Sequence, residues 1–192
     1  MEKICVIIAN GSDDIETIVP ISLWRKAGFV VDLISVENKN TLILDSGIKI
    51  SCSYSIDKIN ISKYNAIYLP GGSGIDKLKK EKLLLKHSEN ILKVHNEIKK
   101  FISEDKLIFG MSTAPIIFNE LGLLNDVKFT GLPSLAEEFK DLNFADESVV
   151  VDKNFVTAKS SASIVEFTYK IIEMMLGNEA LDNLKKQIND IS

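Results

Sequence analysis

Ser112 is the residue whose surroundings most favour chemistry. It follows the apolar run 107–109, and the five residues from Gly110 to Ala114 are Gly-Met-Ser-Thr-Ala. This is a near match to G-x-S-x-G, a sharp turn between a strand and a helix that exposes a nucleophile. Small residues two positions before and after the serine allow the backbone to turn tightly. The pattern also suits a serine that only caps the helix beginning near Pro115.

A glycine-rich loop offers backbone donors that could serve such a nucleophile. Residues 69–74 are Leu-Pro-Gly-Gly-Ser-Gly, directly after a short apolar run. The loop lacks the spacing of a dinucleotide-binding turn and the lysine of a P-loop, so no nucleotide or other cofactor is expected. Backbone N–H groups in such a loop can stabilise an oxyanion, and Gly72 is the predicted donor.

Glu16 is the candidate acid near the serine. It follows Asp13 and Asp14, which are typical caps of a helix N-terminus, and it lies among apolar residues and Pro20. A carboxyl group in partly apolar surroundings tends to be protonated and can share a hydrogen bond with a nucleophile. The alternative is an ordinary solvated glutamate. Because proline lacks a backbone N–H, Pro20 also predicts an irregular helix.

The histidines and cysteines limit the possible chemistry. His87 and His95 lie in the charged segment 77–106 and are predicted to be solvated helix residues, so neither is placed to activate Ser112 and no metal site is expected. Two cysteines do not form a disulfide framework, which predicts a reducing, cytoplasmic location.

The two cysteines lead to different predictions about thiol reactivity. Cys5 lies in a predicted buried strand and should be inert. Redox sensing through Cys52 is a functional hypothesis that requires this thiol to be exposed.

Short apolar runs alternate with segments of helical periodicity, which predicts an α/β fold with a parallel sheet covered on both faces. The predicted strands are Ile4–Ala9, Val30–Ser35, Ala66–Leu69, Leu107–Gly110 and Phe155–Ala158, with strand pairs 41–44/48–52 and 149–151/155–158. The predicted helices are 15–27, 88–103, 114–121 and 161–176. The candidate loops are 10–14, 70–74, 111–114 and 159–163. They follow strands at the carboxyl edge, where ligands bind in open α/β sheets.

Length and charge bound the remaining possibilities. The 192 residues suit one domain, with a core over about residues 3–177 and a surface helix at 178–192. A net charge of −4 argues against a nucleic-acid partner, which would favour a basic face. No apolar run approaches about 20 residues, so no membrane partner is expected.

Four motifs together resemble the ThiJ/PfpI family of the class I glutamine amidotransferase-like superfamily. They are the opening run 11–28, the Leu-Pro-Gly-Gly run 69–72, the elbow 107–115 and the closing unit 156–167. The resemblance implies a flavodoxin-like three-layer sandwich with a mostly parallel central sheet, assembled as a homodimer. It also implies a protonated glutamate, Glu16 here, beside the elbow nucleophile. The implied oxyanion donors are the N–H groups of Gly72 and Thr113.

This sequence departs from the family's pattern at the elbow. Ser112 occupies the position of the catalytic cysteine, and Leu132 that of the downstream histidine. The loop 159–163, which usually carries glycine and proline, is Lys-Ser-Ser-Ala-Ser. A serine hydroxyl needs an adjacent base, which a low-pKa thiol does not, and it cannot form a sulfenic acid.

Two functional hypotheses follow from the resemblance and its departures. The first is a protein that binds a small carbonyl or carboxylate ligand, or acts in stress response or as a chaperone, without the family's thiol-based glyoxalase, deglycase or peptidase activity. The second is a hydrolase or lyase for small carbonyl or ester substrates, with Ser112 as nucleophile or Glu16 as general base.

Overall fold

A central β-sheet forms the middle layer of the protein. The computed structural model describes residues 1–84 and 88–189. The strands within these ranges are β1 (Lys3–Ile8), β2 (Val30–Ser35), β3 (Thr41–Ile43), β4 (Lys49–Ser51), β5 (Tyr54–Ser55), β6 (Ala66–Leu69), β7 (Leu107–Met111), β8 (Val149–Asp152) and β9 (Phe155–Ala158). Strands β3 and β4 pair with each other as a separate antiparallel ribbon.

The seven remaining strands have the order β5-β2-β1-β6-β7-β9-β8. Neighbouring strands are parallel except for β8, which runs antiparallel to β9 at one edge. Five of the six parallel strands, β2-β1-β6-β7-β9, therefore follow the 2-1-3-4-5 order of flavodoxin-like sheets, and the short β5 is added beside β2. The predicted fold class is confirmed, and so are both predicted strand pairs.

Helices cover the two faces of this sheet. They are α1 (Asp14–Ala27), α2 (Ser88–Ser103), α3 (Pro115–Glu120), α4 (Ile164–Leu176) and α5 (Asn178–Gln187). Helix α1 begins at its predicted cap, because the Asp13 carboxylate accepts a hydrogen bond from the N–H of Glu16 at 2.9 Å. It ends at Gly28, whose φ of +106° continues the chain in a left-handed conformation. None of the described helices has the length and apolar character of a membrane span.

Strand β1 shows why its sequence is apolar without alternation. Cys5 and Ile7 point into the core beneath α2, whereas Ile4, Val6 and Ile8 point into the core beneath α1 and α4. Both faces of the strand are buried, so no position favours a polar side chain. Trp24 on α1 is completely buried in the second of these cores.

The structure departs from the sequence-based predictions at several points. The prediction that His95 is solvated is wrong, because its ring is buried and Nε2 bonds to the carbonyl of Leu78 at 2.6 Å. Residues 78 to 84 fold back against α2 and cover this helix face. The segment 161–163 is a 3-10 turn, and α4 begins after it. His87 and residues 190–192 lie outside the described residues.

Helix α1 continues through Pro20, where the sequence predicts an irregularity. Proline cannot donate to the carbonyl of Glu16, four residues earlier. The Tyr68 hydroxyl from β6 donates to that carbonyl instead, at 2.8 Å, and the Tyr68 side chain is fully buried. The pair Pro20 and Tyr68 therefore joins the first turns of α1 to the middle of the sheet.

A double-mutant cycle tests this compensation. We expect Tyr68→Phe to destabilise the protein by about 1–3 kcal/mol, since it leaves a buried carbonyl without a donor. In a Pro20→Ala background the cost should be smaller, because the N–H of residue 20 can then donate to Glu16. Denaturant unfolding of the four proteins measures both values. Equal costs in the two backgrounds would contradict the compensation.

Candidate functional site

The loops at the carboxyl ends of β1, β6, β7 and β9 meet at one point of the sheet edge. Ser12 and Gly72 form an isolated antiparallel bridge between the first two loops. The N–H of Ser112 donates to the carbonyl of Ala158 at 2.9 Å, which joins the third loop to the end of β9. The structure thus brings together the loops that the sequence singled out.

Ser112 occupies a strained elbow directly after β7. Its φ is +57°, a left-handed backbone conformation that residues other than glycine rarely adopt. Gly110 is required because a Cβ atom there would lie 2.4 Å from the ring of Phe118 on α3. The alternative that Ser112 caps α3 is wrong, since Ala114 occupies the cap position and no side chain caps the helix.

The carboxyl group of Glu16 lies under this elbow and is buried, with 1% of the residue exposed. Its Oε2 accepts a hydrogen bond from the N–H of Gly71 at 2.7 Å, and its Oε1 accepts one from the hydroxyl of Ser161 at 3.0 Å. A Cβ atom on Gly71 would lie 2.8 Å from Oε2 and 2.8 Å from Cβ of Ser112. Only glycine therefore fits between the acid and the serine, and the alternative of a solvated Glu16 is wrong.

The environment of Glu16 favours its neutral form. Burial raises the pKa of Glu16 from its ordinary value of 4.5 to about 7, and the nearby charge of Asp13 adds to the rise. Hydrogen bonds from the Gly71 N–H, Ser161 and Ser112 lower the pKa and oppose burial only in part. Glu16 is consequently protonated below pH 7 and can donate a proton at the elbow.

The backbone around Ser112 includes two candidate donors. Within residues 1–84 and 88–189, the N–H groups of Gly72 and Thr113 donate to no protein acceptor. The Thr113 hydroxyl donates to the carbonyl of Gly72 at 3.4 Å, which links the two loops. The oxyanion role that the resemblance assigns to these N–H groups stays a prediction.

No histidine contacts Ser112 in the part of the chain that the structure describes. His95 is buried against Leu78, away from the elbow. Leu132, which the resemblance places at the position of the family's histidine, adjoins the elbow because its N–H donates to the Ser112 carbonyl at 2.9 Å. Among the described residues, no group of three His, Cys, Asp or Glu side chains could hold a metal ion.

Cys52 lacks the exposed thiol that the redox hypothesis requires. Cys52 is only 7% exposed, and burial raises the pKa of its thiol to about 12. Cys5 is buried in β1, as predicted. Neither thiol has the exposed, thiolate-stabilising surroundings of a reactive cysteine.

Sequence reasoning missed two residues that contact Glu16. The loop 69–74 drew attention to Gly72, but it is the preceding Gly71 that donates to the acid. The pair of consecutive glycines was the available signal. Ser161 was noted only as part of an unusual loop, and nothing in the sequence indicates its contact with a residue 145 positions away.

Comparisons with known proteins agree with this geometry. A model of the DJ-1/PfpI family matches residues 2–174. The chain is 30% identical over 188 residues to an uncharacterized protein of Mycoplasma pneumoniae. This alignment covers 92% of this chain and 84% of that protein. The chain is also 23% identical over 175 residues to a deglycase of Pyrococcus horikoshii. That alignment covers 90% of this chain and 99% of the deglycase.

Two further similarities concern length and fold. DJ-1 homolog B of Arabidopsis thaliana is 26% identical over 178 residues, and the alignment covers 92% of this chain but 39% of that protein. The chain therefore spans less than half of that relative. Among solved structures, oxidized DJ-1 of Toxoplasma gondii superposes with a TM-score of 0.88 at 24% identity and covers 100% of both chains. This likeness shows the shared fold.

The raised pKa of Glu16 predicts how stability depends on pH. The folded state keeps the proton up to about pH 7, whereas the unfolded chain releases it near pH 4.5. The stability contributed by neutral Glu16 is therefore complete below pH 4.5 and is lost as the pH rises to about 7. Over this interval of about 2.5 pH units the loss amounts to about 3 kcal/mol.

Glu16→Gln keeps a neutral side chain at every pH. We expect the free energy of unfolding of this variant, measured with denaturant and taken relative to the wild type, to increase by about 3 kcal/mol between pH 4.5 and pH 7.5. The comparison cancels the pH effects that other groups exert on both proteins. Parallel curves for the two proteins would show that the pKa of Glu16 is not raised in the folded state.

Proposed function

We propose that this chain, which belongs to the DJ-1/PfpI family, binds a small carbonyl or carboxylate compound at Ser112 without forming a covalent thiol intermediate. The proposal is carried by the buried carboxyl of Glu16, which lies beneath Ser112 and whose raised pKa favours the neutral form, while no histidine among the described residues contacts this serine. The similarity to a protein named a deglycase supports a ligand of the carbonyl class.

The chemistry of the elbow supports binding over nucleophilic attack. A serine hydroxyl becomes a nucleophile only when a neighbouring group takes its proton. Below pH 7 the neighbour is neutral Glu16, which donates a proton and does not accept one. The thiolate step of the family's cysteine enzymes has no counterpart in such a pair.

The same groups favour an oxygen-rich ligand. The Glu16 carboxyl, the Ser112 hydroxyl and the N–H groups of Gly72 and Thr113 are all able to donate. A carbonyl or carboxylate oxygen accepts hydrogen bonds and matches such a set of donors. An anionic ligand would also favour the protonated form of Glu16, so its affinity should depend on pH.

A second function is favoured by one observation. Because the pKa of Glu16 is about 7, the carboxyl is ionised in mildly alkaline solution, and it shares a hydrogen bond with Ser112. An ionised Glu16 could take the serine proton and make Ser112 a nucleophile. This would be a serine-dependent hydrolase or lyase of small carbonyl or ester substrates, active above pH 7. Stress-response and chaperone-like roles stay predictions from the resemblance, and a cytoplasmic location stays a prediction from the cysteine content.

An apolar surface beside the site supports a homodimer. Ile15 and Ile18 are three residues apart on one face of α1, and Ile43 and Ile48 belong to the β3–β4 ribbon. Each of the four is between 39% and 50% exposed. The Ser46 N–H and hydroxyl donate to the Asp14 carboxylate at 2.9 and 2.7 Å, which holds the ribbon against the start of α1. Several large apolar side chains exposed on neighbouring elements are typical of a protein interface.

Pyruvate, which carries both a carbonyl and a carboxylate, is a suitable probe of the binding proposal. We expect its Kd, measured by calorimetry, to be about tenfold higher at pH 8 than at pH 6, since only protonated Glu16 donates to it. Ser112→Ala should raise the Kd by no more than about tenfold, the worth of one hydroxyl donor. Glu16→Gln should remove the pH dependence.

Two results would overturn the binding proposal. One is a wild-type Kd for pyruvate that is the same at pH 6 and pH 8. The other is turnover of methylglyoxal by the wild type that Ser112→Ala abolishes, a result that would establish the serine-dependent enzyme in its place.

The homodimer is tested by placing a charge in its apolar surface. We expect sedimentation to give twice the chain mass for the wild type and the single-chain mass for Ile18→Glu, because a buried unpaired carboxylate opposes association. Leu92→Glu is the control, since Leu92 is also exposed, at 49% against 39% for Ile18, but lies on α2, across the sheet. A monomeric wild type at micromolar concentration would refute the dimer.

A further inference from the structure

Ser161 connects the loop after β9 to the acid of the site. Its hydroxyl donates to Oε1 of Glu16 at 3.0 Å, a contact between residues 145 positions apart in the sequence. The residue is half-buried, whereas Glu16 is buried. The Ser161 hydroxyl therefore stands between the carboxyl group and the protein surface.

The hydroxyl of Ser161 has no evident part in forming the local turn. Ser160, in extended conformation, precedes the 3-10 turn Ser161–Ser163, and no side chain caps this turn. The turn is closed by the backbone, where the N–H of Ser163 donates to the carbonyl of Ser160 at 2.8 Å. The side chain of Ser161 is thus available for Glu16.

The carboxyl of Glu16 is surrounded by neutral donors from three elements. Gly71 contributes its N–H from the loop after β6, Ser112 its hydroxyl from the elbow, and Ser161 its hydroxyl from the loop before α4. The titratable groups that act on it are Asp13, on its own helix, and Tyr68, on β6. Of the two hydroxyls, the one on Ser112 faces the proposed ligand.

We propose that Ser161 is a positioning residue of the site, which holds Oε1 of Glu16 and so determines whether Glu16 acts as a donor or an acceptor toward Ser112. With Oε1 engaged by Ser161 and Oε2 by Gly71, the carboxyl group cannot turn away from the elbow. A hydroxyl that donates to a carboxyl group stabilises its ionised form. Ser161 therefore opposes the effect of burial and keeps the acid in the range where it can change state near neutral pH.

Titration of Glu16 in the unliganded protein tests this role. The side-chain carboxyl carbon, labelled with 13C in all glutamates and assigned by its loss in Glu16→Gln, is followed by NMR as the pH is varied. We expect Ser161→Ala to raise the midpoint by about half to one pH unit, because one donor to the ionised form is lost. Ser161→Thr, which keeps the hydroxyl, should restore a midpoint close to the wild type.

Controls separate this role from a general effect on the loop. Ser160→Ala removes a hydroxyl from the preceding residue and should leave the midpoint unchanged. Ser161→Gly, a second variant without a hydroxyl, should reproduce the rise and serves if Ser161→Ala is poorly folded. A midpoint in Ser161→Ala or Ser161→Gly within about 0.2 pH units of the wild type would overturn the inference, as would an equal rise in Ser160→Ala.

The inference rests on the proposed function only for what Glu16 does to a ligand. Because the titration is made without ligand, a failure of pyruvate to bind would count against the proposed function and would leave the role of Ser161 intact. Conversely, pH-dependent binding of pyruvate with an unchanged midpoint in Ser161→Ala would refute the positioning role alone.

Discussion

The burial of one carboxyl group, that of Glu16, is the constraint on which the rest of the site depends. A carboxylate removed from water is costly unless it is paired, and the hydrogen-bond partners of Glu16 are the neutral groups of Gly71, Ser161 and Ser112. The acid therefore keeps its proton to about pH 7. A neutral acid beneath a serine makes the elbow a place that donates hydrogen bonds.

The surrounding fold serves to keep that acid in place. Pro20 removes the helical partner of the Glu16 carbonyl, and the buried Tyr68 hydroxyl replaces it, so the first turns of α1 are fixed to β6. Gly71 permits the close approach of the acid to the elbow, and Gly110 permits α3 to pack beneath it. In this crowded turn the backbone of Ser112 adopts a strained, left-handed conformation. Each of these features is local in space, yet they come from three different strand–loop units of the chain.

Much of this arrangement could be predicted from the sequence, because it depends on local patterns. Continuous apolar runs located the parallel strands, and the small residues around Ser112 located the elbow. The rest depends on contacts between distant segments, which no single-sequence pattern encodes. His95 has the neighbours of a surface residue, and only the segment that folds back at Leu78 buries it. In the sequence Ser161 belongs to an ordinary polar loop, and only the position of β9 in the sheet brings it into contact with Glu16.

We propose that ligands meet a hydrogen-bonding serine at this elbow and not a nucleophile. This proposal can be tested with an atomic-resolution crystal structure of the protein soaked in pyruvate at pH 6. We expect an intact Ser112 hydroxyl, with the ligand held by hydrogen bonds alone and its oxygen atoms within reach of the Gly72 and Thr113 N–H groups. A covalent bond from Oγ of Ser112 to the ligand, or an imidazole within hydrogen-bonding distance of that oxygen, would contradict it.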